Sequence, residues 1–176
     1  MNTQKVSVMR SNEGFTLIEL LVVIAIVGVL VGVIFVALNP AARFQQARDS
    51  VRQNAVQEVL SAIKLQQVDN GGSYLASVAA LTAGTNYMIT GEPMASGCNS
   101  TCDATIAATG NCVDLTGLVS GGYLKSVPIS PKGATTWDSG SSKGTGYALS
   151  VDSNGIATVT ACESEAATTT TITASR

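Results

Sequence analysis

The chain has 176 residues, a formal net charge of −2, only 12% charged residues and no histidine. The absence of a basic excess speaks against nucleic-acid binding. With no histidine, G-x-S-x-G elbow, P-loop or usefully spaced carboxylate pair, the sequence has no recognisable enzyme site.

In chain order, Met1–Glu13 is short, polar and mildly basic. A secretory signal peptide would carry its apolar region ahead of the cleavage site. Lys5 and Arg10 favour a cytoplasmic start, so the C-terminal bulk is expected to be exported. From Phe15 to Leu38 the sequence is unbroken and apolar, and its only charge is Glu19. As a helix it is about 36 Å long, enough for a hydrocarbon core of about 30 Å. A carboxylate there costs several kcal/mol unless it finds a partner or a proton. The run holds no cation. A cut between Gly14 and Phe15 would create one, a terminal ammonium four residues before Glu19. Between two staggered helices, the carboxylate of one chain would then meet the amine of another and fix their axial register.

Gly28 and Gly32 fall at small-xxx-small spacing, which lets helices approach closely or loosens the helix locally. Asn39-Pro40 marks a kink. From Ala41 to Gln67 the pattern is amphipathic, with Phe44, Val51, Ala55, Val59, Leu60 and Ile63 on the apolar stripe. It reads as a helix continuing the first, about 80 Å from Phe15 to Asp69. Asp69-Asn70-Gly71-Gly72 ends it. Arg43, Arg48 and Arg52, interrupted by Asp49, read as a solvated face near headgroups or as contacts with neighbouring helices.

Beyond the helix, Ser77–Ala83 is expected as a short helix capped by Ser77, and Asp114–Ser120 as a helical turn capped by Asp114. Gly146–Val151 alternates as a strand, Asp152-Ser153-Asn154-Gly155 turns, and Ile156–Cys162 is a second strand. Glu163–Arg176, rich in Thr and Ala, reads as a ragged or loosely bound tail. An even count of cysteines in an exported domain reads as two disulfides among Cys98, Cys102, Cys112 and Cys162. Three connectivities are open, and Cys98–Cys102 with Cys112–Cys162 is the pairing expected. A four-thiolate zinc site is disfavoured because no C-x2-C pair is present.

The stretch Gly14-Phe15-Thr16-Leu17-Ile18-Glu19-Leu20-Leu21-Val22-Val23-Ile24-Ala25-Ile26 resembles the class III signal of type IV prepilins and type II secretion pseudopilins. The resemblance implies that a prepilin peptidase cuts after Gly14, that Phe15 is N-methylated, and that Glu19 is the family's conserved glutamate. Many members carry a proline inside the apolar helix, and this chain has none before Pro40. Gly122–Lys132 and Asp69–Tyr74 are similar to stretches of the major pseudopilin and related pilins. Some secretion pseudopilins bind calcium in a loop near a tryptophan. Trp137-Asp138-Ser139 lies there, but Asp138 alone supplies too few ligands, so a polar loop is favoured.

The fold expected is α+β, a long N-terminal helix on a small antiparallel sheet with disulfide-stapled loops. Its parts are a cleaved leader over 1–14, a transmembrane helix half over 15–38, an amphipathic half over 39–70 and an exported domain over 71–176. The function expected is a structural, non-enzymatic subunit of a type IV pilus-like filament. The alternatives are a secretion pseudopilin and a monomeric membrane-anchored binding module. Partners would be further copies of the chain, the peptidase, the assembly platform and the membrane, with no nucleic acid. The precursor would cross the membrane once, and the product would be an extracellular pilus or a periplasmic pseudopilus.

Overall fold

The computed structural model describes residues 14–92, 98, 102, 104, 106, 112–131, 137–139, 142–166 and 171–176. The leader, except for Gly14, lies outside the described residues. The chain divides at Pro40 into two compact units.

The first unit is one helix, α1 (Leu17–Leu38). Its 22 residues make about 33 Å of helix, long and apolar enough to cross a membrane. None of them is buried by the described residues. The helix runs unbroken through Gly28 and Gly32, and no heavy atom outside its own backbone lies within 4 Å of a Cβ placed at either. It stops at Asn39, whose φ of 38° is left-handed, a conformation Asn tolerates better than most residues. Pro40 follows as the first residue of the next helix, where its missing N–H breaks no hydrogen bond. The stretch expected as one helix is therefore two.

In the second unit α2 (Pro40–Asp69) buries Arg52, Ala55, Val56, Val59, Leu60, Ala62, Ile63 and Gln66, residues one, three or four apart on one face. Phe44 and Val51, expected on that stripe, are 66% and 52% exposed. Seven-residue spacing continues them along a different face, and Arg52 takes the inward position. The helix ends in two linked bonds, Gly72 N–H to Gln67 C=O at 2.8 Å and Gly71 N–H to Val68 C=O at 3.2 Å. Gly71 has a φ of 65°, which favours glycine at this stop.

The remaining elements are α3 (Ala76–Ala79), β1 (Tyr87–Thr90), β2 (Cys112–Asp114), α4 (Thr116–Ser120), β3 (Asp138–Ser139), β4 (Ser142–Lys143), β5 (Tyr147–Val151), β6 (Ala157–Ala161) and β7 (Thr173–Ser175). The main sheet has the order β2-β1-β5-β6-β7, and β3 pairs with β4 separately. All its pairings are antiparallel except β1 with β2, which run parallel. The architecture is thus α+β, with a mostly antiparallel sheet.

Two expected caps differ. Leu75 occupies the N-cap of α3, and Ser77 instead donates to the Asp114 carbonyl at 2.6 Å. α4 begins two residues later than expected. Asp114 belongs to β2 and from there accepts from the Thr116 N–H at 2.8 Å and the Thr116 hydroxyl at 2.9 Å.

Strand alternation separates two cores. Tyr87, Ile89, Tyr147, Leu149 and Val159 join the buried face of α2. Met88 and Ala148, one residue out of phase, join Trp137, Cys98 and Cys162 in a smaller cluster. There the disulfides are Cys98–Cys112 and Cys102–Cys162. This corrects the expected pairing. Cys112 opens β2 beside Met88 of β1, while Cys162 follows β6, the third strand along from β2. Cys98 bridges to the first and Cys102 to the second. The bridges close overlapping loops, 14 and 60 residues apart in sequence. In the chain-entropy view they contribute about 3 and about 4 kcal/mol.

Candidate functional site

Gly14, Phe15 and Thr16 precede α1 in non-helical backbone. Thr16 is extended, with φ −79° and ψ 153°. Phe15 is 90% exposed. No heavy atom lies within 4 Å of a Cβ placed at Gly14, and its φ is not left-handed. Among the described residues nothing therefore requires glycine there. An exposed, non-helical peptide at a helix edge is also the kind of backbone that a protease can engage.

Glu19 lies in the first turn. Its Oε2 accepts from the Thr16 N–H at 2.8 Å and from the Thr16 hydroxyl at 2.9 Å. The Glu19 N–H donates back to Thr16 Oγ1 at 3.3 Å, which completes a capping box. The carboxylate thus has a partner in its own helix and sits at the positive end of the helix dipole. These bonds use Oε2 and leave Oε1 for another donor. Sequence reasoning treated Glu19 as unpartnered and passed over Thr16, although the T-x-x-E spacing of 16–19 signals a capping box.

Of the arginine cluster, Arg43 is exposed as expected and donates to Gln46 Oε1 at 3.1 Å, but Arg48 and Arg52 do not form a solvated face. The Arg52 side chain is fully buried. Its Nε donates to Ser130 Oγ at 3.0 Å, Nη1 to Asp49 Oδ1 at 2.7 Å, and Nη2 to the Pro131 carbonyl at 3.2 Å. Nη2 also pairs with Glu163 Oε2 at 2.9 Å and Glu165 Oε1 at 2.7 Å. Arg48 Nε reaches both oxygens of Glu165, at 2.9 and 3.0 Å, and Arg48 Nη2 binds the same carboxylate. Asp49 accepts from the N–H groups of Glu165, at 3.1 and 3.0 Å, and Ala166, at 2.7 Å.

The hydrogen bond from Arg48, helped by Arg52, pulls Glu165 down to about 2 against the effect of burial. Burial pushes Arg52 down, but its bonds to Glu165 and Asp49 outweigh that and leave it raised. Glu163–Ala166 is therefore tied to α2, and Thr173–Ser175 adds a strand to the sheet. Both findings correct the expected loose tail. The partners lie more than a hundred residues apart, so no local spacing signalled them.

Asp138 lies in β3, and most of the loop around it falls outside the described residues. Among the described residues no group of three or more His, Cys, Asp or Glu is arranged to hold a metal ion.

The family model of the prokaryotic N-terminal methylation motif matches residues 9–35, which include Gly14, Phe15, Thr16 and Glu19. The chain is 40% identical over 73 residues to the type IV wide pilus major component PilA4 of Thermus thermophilus. That alignment covers 42% of this chain and 53% of the relative, so the chain spans about half of the relative's length. No solved structure matches it significantly. The chain thus carries an N-terminal methylation motif and is similar, over part of its length, to a type IV pilin.

Proposed function

We propose that this chain is the structural subunit of a type IV pilus-like filament. It is released for assembly when a prepilin peptidase cuts between Gly14 and Phe15 and N-methylates Phe15. The observation that carries this is α1, 22 residues with Glu19 as their one charge, which the described residues leave uncovered and which begins beside an exposed Gly14–Phe15 peptide. Such a surface needs lipid before assembly and other helices after it. In the membrane the precursor crosses once, leader inside and C-terminal unit outside. In the filament, copies of α1 cover one another, and the Phe15 ammonium of one chain pairs with Glu19 of another. The peptidase, the assembly platform and the membrane are the remaining partners.

The pilus reading is preferred to a secretion pseudopilin because the relative is named as a pilus component. Electron microscopy of sheared surface material, labelled with antibody to residues 41–176, tests it. Labelled filaments are expected. Label confined to membranes, with no filament, overturns the reading and favours a monomeric anchored module.

A further inference from the structure

The sequence holds two Asn-Gly pairs, Asn70–Gly71 and Asn154–Gly155. In such a pair no Cβ shields the glycine nitrogen from the asparagine side chain before it. That nitrogen loses its proton and bonds to Cγ, while Nδ2 leaves as ammonia and a succinimide closes. One water then opens the ring at either carbonyl, leaving aspartate or isoaspartate. The reaction needs no oxidant, metal or enzyme. Both asparagines are exposed, and both glycines are left-handed, with φ of 65° and 78°.

The two pairs differ in how the side-chain amide is held. Asn70 follows α2, and its Nδ2 donates to the Gln66 carbonyl, one turn back, at 2.9 Å. The Asn70 N–H donates to the same carbonyl at 3.0 Å. This draws the amide back along the helix, away from Gly71, whose own N–H donates to the Val68 carbonyl at 3.2 Å. Asn154 sits in the β5–β6 turn, where the backbone is fixed and the amide is not. The Asn154 and Ile156 N–H groups donate to Asp152 Oδ1, both at 2.8 Å, and the Gly155 N–H donates to the Asp152 carbonyl at 3.1 Å. By contrast, Asn154 Nδ2 meets Asp152 Oδ2 at 3.5 Å, the outer limit of a hydrogen bond.

We propose that Asn154–Gly155 is a site of spontaneous succinimide formation in the folded chain, and that the helix end protects Asn70–Gly71 from it. While the ring is closed, Gly155 has no N–H to give Asp152. Hydrolysis then sets a second carboxylate beside that of Asp152, and the isoaspartyl product also lengthens the turn by one backbone carbon. Gly155 passes the change on. Its carbonyl accepts from the Tyr74 hydroxyl at 2.6 Å, and that hydroxyl accepts from Lys64 Nζ of α2 at 2.5 Å. Modification therefore loosens the link between this turn and α2. It is a mark of age carried by the C-terminal unit, and it stands apart from the filament reading.

The test incubates full-length chain in detergent at mildly alkaline pH, one portion folded and one in guanidinium chloride. Peptide mapping by mass spectrometry follows conversion of Asn70 and Asn154 to aspartate and isoaspartate. In guanidinium the two pairs are expected to convert at comparable rates, both faster than when folded. In the folded portion Asn154 is expected to lead Asn70 by about fivefold or more, the weight of one net hydrogen bond. A folded-state lead no larger than the lead in guanidinium overturns the proposal, because the order then comes from sequence and not from the fold. Conversion of neither pair in the folded chain overturns it as well.

Discussion

α1 and α2 adjoin in sequence and differ in where their needs are met. α1 buries nothing, and its one charge is answered three residues away by Thr16. α2 buries eight residues, among them an arginine whose partners reach Glu165, over a hundred positions further on. One helix is left uncovered by the described residues, the other is packed by its own chain. Substitutions in α1 should therefore act on assembly, and substitutions in α2 on folding.

The largest break in that contrast is Arg52→Ala. It leaves Asp49, Glu163 and Glu165 facing one another around a void, and removing one partner of a buried ion pair costs about 3–5 kcal/mol. Thermal unfolding of the full chain is expected to fall accordingly. Joint Cys102→Ser and Cys162→Ser substitution should cost about 4 kcal/mol, and the Cys98–Cys112 pair about 3, because its loop is shorter.

Acid gives a smaller effect of fixed sign. Glu165 lies near 2 in the folded chain against an ordinary value near 4.5. The unfolded chain therefore binds the proton first. The contribution of Glu165 is complete above about 4.5 and lost as pH falls towards 2. Glu165→Gln should flatten the stability profile over that interval. Smallest of all is the effect of Glu19→Ala on unfolding of the C-terminal unit, expected to be nil, although the same change should abolish normal filaments. A lowered unfolding temperature for that unit would erase the contrast between the helices.

What was legible in the sequence follows the range of the forces involved. The apolar run, the amphipathic spacing around Ala55–Ile63, the glycine stop and the Asp152–Gly155 turn are local, and each appears in the structure. The Glu19 capping box was local too, and the T-x-x-E spacing contained it. Disulfide pairing depends on which strands neighbour which, and the parallel β1–β2 pair is not encoded in any short window. The same holds for Arg52. A helical arginine reads as solvated until a distant segment supplies its carboxylates, which also explains why residues 163–166 looked like loose tail. Phe44 and Val51 were misplaced because heptad and 3.6-residue patterns share their first positions and then part.

The central claim is that α1 is completed by copies of itself after the chain is cut. Intact mass and N-terminal sequencing of chain recovered from purified filaments tests it most directly. The account predicts a chain starting at N-methylated Phe15, whereas filaments built from chain that retains residues 1–14 would contradict it.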